Sequence, residues 1–531
     1  MADHANRRQT TWRVLRHGGV LRLSGDAEWR TQCACVHHTC RARRRHRFPA
    51  GHRTRWWCLV SGDLHDATER DVVVVGAGAA GMSAGYAAAR AGCTVTIIDA
   101  NPVAGGQYHR RRIDAATYRP RGCDDEAVWR RIHIESATTV YAVEIIEHGT
   151  QHIFGVRTRG DDRHRRDVDL VKARRLVIAT GAYDRPLPVP GWDLPGVMTG
   201  GGAQALIKGS GVLPGNRVVV AGTGPFLLAV AHAILEAGGS VAAVVEANDP
   251  VVLRRHRAAL TNVGKAGELA RFVTSLTRHR VPYLRRHRVT RVHGDTTVTG
   301  VTLARVDASW RAKSGTDRFI EADTLTLGYG FTAQTDLPAQ LGCTLQVSAD
   351  EGLAVSVDDD QATSVTGVYA AGESTGVGGV DLAGVEGLLA GAAVARSLDH
   401  PSPLRDEPAL RRSRDRMRAF ADALATAFPL RSGWQDDLED DTVVCRCEEV
   451  PAGRIHTAIT ELGAQDARTV KLLTRAGMGW CQGRVCSLAV DRLCPRSATL
   501  EGQSRAAVRP VVVPVPLAAL AGIELQAGKE S

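Results

Sequence analysis

The stretch DVVVVGAGAAG, residues 71–81, joins a run of four valines to a glycine-rich turn. A short apolar run of this kind is typical of a strand that is buried on both faces of a parallel sheet. The alanine-rich segment MSAGYAAARAG follows, and then a second apolar run, TVTIID, which ends in Asp99. The order strand, glycine turn, helix, strand and terminal acid predicts an α/β fold built around a βαβ unit.

The glycine turn of this unit predicts a dinucleotide site. Gly76, Gly78 and Gly81 have the GxGxxG spacing. With Ala79 at the start of the helix, they let the backbone approach a pyrophosphate at the positive end of that helix. Asp99 lies eighteen residues beyond Gly81, where an acid accepts hydrogen bonds from the adenosine ribose. The alternative role for Asp99 is to cap the end of the strand.

Three further segments resemble the FAD domain of two-dinucleotide flavoprotein reductases. They are a Gly-Gly-Gln run with Gly106 and Gln107, the stretch LVIATGA with Ala179, Thr180 and Gly181, and the stretch TGVYAAGE with Gly372 and Glu373. In that family the ATG strand lies beside the cofactor, and the residue after the last AAG hydrogen-bonds the ribityl chain. Glu373 stands where an aspartate is commoner. The resemblance implies FAD, bound along these residues.

A second nucleotide fold is predicted inside the first. RVVVA, residues 217–221, leads into the turn GTGPFL, a helix and the strand SVAAVVE. Gly222 and Gly224 would face a pyrophosphate, and Glu246 would bind a ribose 2′-OH and repel a 2′-phosphate. NAD is therefore the second candidate cofactor. Leu227 stands where the third glycine is expected, and the alternative is a retained fold that turns over no NAD.

A CxC pair and a Cx4C pair occur late in the chain, formed by Cys445, Cys447, Cys481 and Cys486. Clustered thiolates point to a metal, a disulfide or redox chemistry. A [2Fe–2S] cluster needs two thiolates for each iron, so each pair could hold one iron. Zinc and inert thiols are the alternatives, but the chain has no CxxC turn of the kind that structural zinc sites use.

The cysteine spacing and the stretch GMGWCQGRVC resemble the small domain related to bacterioferritin-associated ferredoxin. That resemblance implies that all four cysteines bind one [2Fe–2S] cluster. Gly477, Gly479 and Gly483 suit a loop whose backbone N–H groups approach the thiolates, and such hydrogen bonds raise the reduction potential of a cluster.

The linker ATGAYDRPLPVPGWDLPGVMTGGGAQALIK, residues 179–208, together with LGYGF and GVGGVDLAGVEG, resembles the FAD- and iron–sulfur-containing subunits of bacterial amine dehydrogenases. That family includes subunits of opine oxidase, hydrogen cyanide synthase, sarcosine oxidase and proline dehydrogenases. The resemblance implies an electron-transferring subunit of a heteromeric amine or amino-acid dehydrogenase. Its partner would be an amine-oxidase-like flavoprotein subunit that binds the amine, and a small third subunit is a further candidate.

The alternative function is a self-contained NADH-dependent flavin and iron–sulfur reductase, in which hydride enters from the Glu246 site. A dithiol reductase is not expected, because Cys93, Cys123 and Cys343 are single and scattered. The sequence has no recognisable hydrolase constellation, and it leaves any acid–base catalyst unidentified.

Charge is unevenly distributed along the 531 residues. The chain has a net charge of +10, and the first sixty residues, with thirteen arginines and three acids, account for all of it. This extension has no periodicity and no recognised nucleic-acid-binding fold, so no nucleic-acid partner is expected. No stretch is long and apolar enough to span a membrane, and a cytoplasmic location is expected.

Together these features predict an α/β flavoprotein with two Rossmann-like dinucleotide-binding domains and a small helical [2Fe–2S] domain. The predicted segments are a basic disordered extension (1–69), an FAD-binding domain in two parts (70–185 and 322–400), an inserted NAD-binding-like domain (186–321), a linker (401–436), the [2Fe–2S] domain (437–500) and an extended tail (501–531).

Overall fold

The computed structural model describes residues 16–17, 20–21, 69–148, 151–160, 168–255, 263–495 and 511–514. Two short strands, β1 (Arg16–His17) and β2 (Val20–Leu21), pair antiparallel within the unit Met1–Leu59. All other elements belong to the unit Val60–Ser531. The predictions of a disordered extension and of an extended tail therefore fall mostly outside the described residues.

Within the described residues, a seven-stranded sheet forms the first domain. Its strands are β3 (Glu69–Val75), β4 (Val95–Ile98), β5 (Ile132–Glu135), β6 (Thr138–His148), β7 (Gln151–Gly160), β8 (Val168–Ile178) and, much later in the chain, β21 (Val368–Ala370). The order is β5-β4-β3-β8-β7-β6, and β21 pairs with β8. β3, β4, β5, β8 and β21 are parallel, whereas β6, β7 and β8 form an antiparallel meander.

The helices of the first domain bring the end of β21 next to the first glycine turn. They are α1 (Ala79–Ala91), α2 (Glu126–Trp129), α6 (Asp336–Leu341) and α7 (Val380–Arg396). An added Cβ on Gly387 of α7 would lie 2.1 Å from the carbonyl oxygen of Ala80 in α1. The glycine is needed because the two helices pack backbone to backbone.

The second domain is built on a parallel sheet of five strands, in the order β10-β17-β11-β12-β13. These strands are β10 (Val197–Thr199), β11 (Val218–Gly222), β12 (Val241–Glu246), β13 (Tyr283–Arg285) and β17 (Thr324–Gly328). Its helices are α3 (Gly200–Ala205), which continues as a π turn (Leu206–Ser210), α4 (Phe226–Glu236), a 3₁₀ helix (Pro250–Arg255) and α5 (Val263–Arg278). An antiparallel sheet adds β14 (His287–His293), β15 (Gly300–Arg305) and β16 (Arg318–Glu321).

The predicted domain boundary at residue 322 needs a correction. β17 was expected in the FAD-binding domain, but it lies in the second sheet, between β10 and β11. The chain returns to the first domain at β18 (Phe331–Ala333), which pairs antiparallel with β9 (Ala182–Asp184). β19 (Leu345–Val347) and β20 (Leu353–Val355) then form a hairpin. The sequence did not reveal the boundary because a buried apolar strand suits either sheet.

The small domain follows a long connecting helix, α8 (Glu407–Ala427), whose N-cap is the side chain of Asp406. After a 3₁₀ helix (Ser432–Asp437), its elements are β22 (Val443–Cys445), β23 (Val450–Pro451), α9 (Ala452–Thr460), α10 (Ala467–Thr474) and α11 (Ser487–Leu493). Among the described residues, no helix has the length and hydropathy that are needed to cross a bilayer.

The small domain shares one apolar core with the second domain. Val245 and Leu325 of the second sheet belong to the same buried cluster as Trp434 and Val444 of the small domain. Burial of apolar area is the main favourable term in folding, so this shared core anchors the small domain to the second sheet.

Candidate functional site

The first glycine turn joins β3 to α1 and leaves no room for side chains on its protein side. An added Cβ on Gly76, whose φ is +110°, would lie 2.2 Å from the carbonyl oxygen of Ala179. One on Gly81 would lie 1.8 Å from the carbonyl oxygen of Gly76. At Gly78, by contrast, the nearest protein atom is 3.9 Å from an added Cβ. The open space at Gly78, beside the helix start, fits a pyrophosphate.

Asp99 follows β4 and connects that strand to the turn. Its Oδ2 accepts a hydrogen bond from the N–H of Ala77 at 2.5 Å. Its Oδ1 accepts from the backbone and side-chain N–H groups of Asn101 at 2.7 and 2.8 Å. Each carboxylate oxygen has two lone pairs; those of Oδ1 are both used, but Oδ2 can still accept one hydrogen bond from a ribose hydroxyl. The side chain can therefore cap the strand and bind a ribose at the same time.

A cavity of about 900 Å³ begins at this turn and extends between the two domains. That volume is typical of a cofactor pocket. The residues predicted to bind FAD come from separate stretches of the chain and line this one cavity: Gly76, Gly78, Ala79, Asp99, Gly106, Gln107, Ala179, Thr180, Gly181, Gly372 and Glu373. Gly81 lies behind the wall, in the first turn of α1.

Gln107 and Thr180 reach the cavity from loops that other side chains fix. Gln107 is exposed, and its Oε1 accepts a hydrogen bond from Arg110 at 2.8 Å. The hydroxyl of Thr180 donates to the carbonyl oxygen of Gln334 at 3.1 Å. These contacts orient the two loops towards the cavity before any cofactor binds.

Two charged residues that the sequence analysis did not single out support the Gly372 turn. Glu386 of α7 is 2% exposed and accepts hydrogen bonds from the N–H of Gly372 at 2.9 Å and the hydroxyl of Thr375 at 3.0 Å. Arg418 of α8 forms an ion pair with the same carboxylate. Burial raises the pKa of the neighbouring Glu373, which lines the cavity. In the sequence, the sign of the supporting role of Glu386 is that it is a lone acid in the apolar stretch GVEGLLAG.

The second glycine turn does not fit a dinucleotide in the way that the sequence predicts. Gly222 and Gly224 have φ values of +147° and +93°, as a tight turn requires. Glu246, however, is 0% exposed. Its Oε1 accepts from the hydroxyl of Thr223 and the N–H of Asn248, and its Oε2 from the N–H of Gly224, all at 2.8 Å. Burial raises the pKa of Glu246 to about 7, against these hydrogen bonds. The expected exposure of Glu246 to a ribose is absent.

The four cysteines of the small domain come together. The neighbouring Cys445 raises the pKa of the Cys486 thiol, and burial together with the neighbouring Cys481 raises the pKa of the Cys447 thiol. Which two thiols would share an iron, one motif for each iron as the spacing suggests, stays a prediction. In the described part of the chain, no three metal-binding side chains converge on one ion position. Four neighbouring thiols supply the two thiolates per iron that a [2Fe–2S] cluster needs.

Backbone groups and glycines prepare the buried pair for thiolate chemistry. The N–H of Gly477 donates to the sulfur of Cys445 at 3.4 Å, as the sequence analysis expected of this loop. Hydrogen bonds from the Cys486 thiol and from backbone N–H groups lower the pKa of Cys445 to about 6, although burial acts in the opposite direction. An added Cβ on Gly479 would lie 2.3 Å from the Cβ of Cys447, so the loop needs a glycine there to close on the cysteines.

The loop between Cys481 and Cys486 also reaches the wall of the large cavity. Arg484 in that loop donates to the carboxylate of Asp336 at 2.8 Å and to the carbonyl oxygen of Val512 at 2.9 Å, and all three residues line the cavity. The Nε of Arg484 is buried and has no hydrogen-bond partner among the described residues. The N–H at this position can therefore donate a hydrogen bond to a group bound in the cavity. The sequence carried no sign of this contact.

Residues 70–395 match the pyridine nucleotide-disulphide oxidoreductase family, and residues 443–494 match the BFD-like [2Fe-2S] binding domain. The first match covers more than half of the chain. The chain therefore belongs to the pyridine nucleotide-disulphide oxidoreductase family and carries a [2Fe–2S] domain. These matches confirm the predicted fold class and the predictions of FAD and of a [2Fe–2S] cluster.

Two curated relatives match most of the chain. An opine oxidase subunit of Agrobacterium tumefaciens (strain Ach5) is 31% identical over 498 residues, which cover 87% of this chain and 93% of the relative. The hydrogen cyanide synthase subunit HcnB of Pseudomonas protegens is 31% identical, covering 80% of this chain and 92% of the relative. These matches confirm the family resemblance that the motifs indicated.

A solved structure shares the fold. The crystal structure of L-proline dehydrogenase from P. horikoshii has a TM-score of 0.60 at 19% identity, covering 86% of this chain and 80% of that one. At this identity, the likeness concerns the fold alone.

We predict that Asp99→Ala weakens FAD binding by about 1–3 kcal/mol, because it leaves the N–H of Ala77 and a ribose hydroxyl without an acceptor. Titration of the apoprotein with FAD, followed by quenching of flavin fluorescence, measures the change. Asp71→Ala is the matched control, since Asp71 lies in β3, bonds to Thr94 and does not line the cavity. An unchanged FAD affinity in Asp99→Ala would contradict the placement of the ribose.

We predict about two irons and about two acid-labile sulfides per chain after anaerobic purification. Cys481→Ser should lose the cluster and keep FAD, because the four cysteines and the FAD-binding segments lie in different domains. Iron and sulfide analysis with visible spectroscopy tests both statements. Cys494→Ser, which changes a buried thiol bonded to the carbonyl oxygen of Val490, should keep both cofactors. Stoichiometric zinc in place of iron would refute the assignment.

Proposed function

We propose that this chain is the electron-transferring subunit of a heteromeric amine or amino-acid dehydrogenase. The observation that carries the proposal is the contact of Arg484, through which the cluster loop forms part of the wall of the FAD cavity. When bound, FAD supplies two-electron chemistry and the [2Fe–2S] cluster supplies one-electron chemistry. A chain in which the two sites adjoin suits the transfer of an electron pair, one electron at a time, to an outside acceptor.

The family supports an amine as the source of the electrons. The opine oxidase and hydrogen cyanide synthase relatives are named as subunits, and each is matched over more than nine-tenths of its length. We therefore propose that a second chain, an amine-oxidase-like flavoprotein, binds and oxidises the amine. A small third subunit is a further candidate. The proposed substrates are secondary amines and amino acids of the opine, sarcosine or proline type.

Residues of this chain have positioning roles in the proposal. Asp99 and the first glycine turn bind the adenosine and pyrophosphate end of FAD. Glu386 and Arg418 fix the Gly372 turn, which lies next to the start of α1. The ion pair of Arg484 with Asp336, both largely buried, keeps the cluster loop against the cavity wall. No residue of this chain is proposed to abstract a proton from the amine.

We place the complex in the cytoplasm. All eight cysteines within the described residues are free thiols, and four of them are the proposed cluster ligands. Free thiols of this kind are typical of proteins in reducing compartments. Fractionation of the native host, with the [2Fe–2S] signal followed in each fraction, tests the location, and recovery of the protein in the periplasm would contradict it.

We predict that the chain co-purifies with an amine-oxidase-like flavoprotein encoded beside it when the two are co-expressed. The complex should reduce an electron-accepting dye with an opine, sarcosine or proline as donor, faster than either chain alone. Two variants sharpen the test. Arg484→Leu should slow dye reduction without loss of complex formation. Arg311→Leu, which removes an exposed ion pair with Asp436 away from the cavity wall, should not slow it.

Two outcomes would count against this function. Robust amine turnover by this polypeptide alone would show that it needs no oxidising partner. Rapid bleaching of the flavin by NADH in the isolated chain would instead support the alternative, a self-contained NADH-dependent reductase.

A further inference from the structure

The two glycine turns differ in what lies beside their strand-end acids. At the first turn, Asp99 and the two residues after it line the cavity, so the space for a ribose is open. At the second turn, residues 223–226 line the cavity, but the equivalent residues Glu246 and Asn248 behind them do not. Residues 428–430, which follow α8, line the cavity on this side. The second ribose seat, meaning the space between the second turn and Glu246, is therefore covered.

Asn248 closes the second ribose seat with its side chain. Its Nδ2 donates to the hydroxyl of Thr223 at 2.7 Å and to the carbonyl oxygen of Pro429 at 3.0 Å. Its Oδ1 accepts from the indole N–H of Trp310 at 3.2 Å, and its backbone N–H donates to Glu246 at 2.8 Å. A ribose bound to Glu246 would have to displace the Asn248 side chain and break its hydrogen bonds, because the two need the same space.

The second turn also offers few N–H groups to a phosphate. The N–H of Gly224 already donates to Glu246 at 2.8 Å. Pro225 has no N–H, and the N–H of Leu227 donates to the carbonyl oxygen of Gly224 at 3.2 Å. At the first turn, Asp99 accepts from the N–H of Ala77, one position earlier in the turn than Gly224 in the second turn. The helix that follows the first turn begins with alanines, which have N–H groups, in place of a proline. The anion-binding property of a glycine turn is therefore weakened at the second site.

The segment that covers the second ribose seat is bound to the second domain at further points. Arg288, which is 3% exposed, donates to the carbonyl oxygen of Gly433 at 3.2 Å and forms an ion pair with Asp437 at 2.6 Å. The N–H of Gly433 donates to the carbonyl oxygen of Ser309 at 2.9 Å. Removing one partner of a buried ion pair is strongly destabilising, so these contacts resist displacement by a ligand.

The [2Fe–2S] domain continues from this segment onto the same surface. The indole N–H of Trp192 in the second domain donates to the carbonyl oxygen of Val443 at 2.5 Å. The guanidinium of Arg446 lies over the ring of Trp192, 5.1 Å from its centroid. Val443 and Arg446 flank the cluster ligand Cys445, so the second domain fixes the position of the CxC pair.

We infer that the second nucleotide-binding fold binds no dinucleotide and serves instead as the docking platform of the [2Fe–2S] domain. Its ribose seat is filled by Asn248 and covered by Pro429 of the linker. The fold thereby holds the cluster loop against the FAD cavity. This role does not depend on the amine proposal, since it would hold for any electron donor or acceptor.

The first test is calorimetric titration of the FAD-loaded wild-type chain with NAD⁺, NADH and ADP-ribose. Loading with FAD keeps these ligands out of the first site. We expect no saturable binding with a Kd tighter than roughly 1 mM. Saturable one-to-one binding tighter than this would overturn the inference. It would leave the amine-dehydrogenase proposal intact, because complex formation and amine turnover are measured separately.

The second test is amide hydrogen exchange in Asn248→Ala. Loss of the hydrogen bond to Pro429 should speed exchange in residues 428–434 by roughly fivefold or more, with FAD content unchanged. Asn216→Ala, on the surface of the same domain, is the control and should leave that segment unaffected. Unchanged exchange of residues 428–434 in a folded Asn248→Ala variant would show that the contact does not hold the linker in place, and would overturn the docking role.

Discussion

The apolar core that the second domain shares with the small domain is the constraint on which the rest of the structure depends. It buries Val245 and Leu325 together with Trp434 and Val444, and so fixes the [2Fe–2S] domain on the second sheet. Electron transfer between two centres requires a short and constant separation. A cluster domain on a loose tether would meet the flavin only occasionally, whereas a shared core keeps the two sites in one arrangement throughout turnover.

The contact between the two redox sites follows from this arrangement. Arg484 lies between Cys481 and Cys486, two of the proposed cluster ligands, and reaches Asp336 of the FAD-binding domain, so this loop and the cavity wall meet at a largely buried ion pair. The tail adds Val512, which accepts from Arg484 and donates its own N–H to the carbonyl oxygen of Tyr141 in the first sheet. Three distant parts of the chain thus converge where the loop between Cys481 and Cys486 meets the wall of the large cavity.

Local patterns predicted the parts of this structure whose chemistry depends on neighbours in sequence. The first glycine turn, Asp99 and the four cysteines are proposed site residues because strand, turn, helix and acid, or thiol and thiol, follow each other at fixed spacings. The contacts that decide how the parts work together join residues far apart in the chain, such as Asn248 with Pro429 and Glu386 with Arg418. Spacing carries no information about such pairs. For the same reason, the β17 boundary and the closed second turn became apparent only from the fold.

The central claim is that electrons pass between FAD and the [2Fe–2S] cluster within one polypeptide. Pulsed photoreduction of the flavin in the isolated chain, with flavin absorbance and the EPR signal of the reduced cluster followed in the same samples, tests it most directly. The account predicts that the cluster signal rises as the flavin is reoxidised, at a rate independent of protein concentration. A rate proportional to protein concentration, or a cluster that stays oxidised, would contradict it.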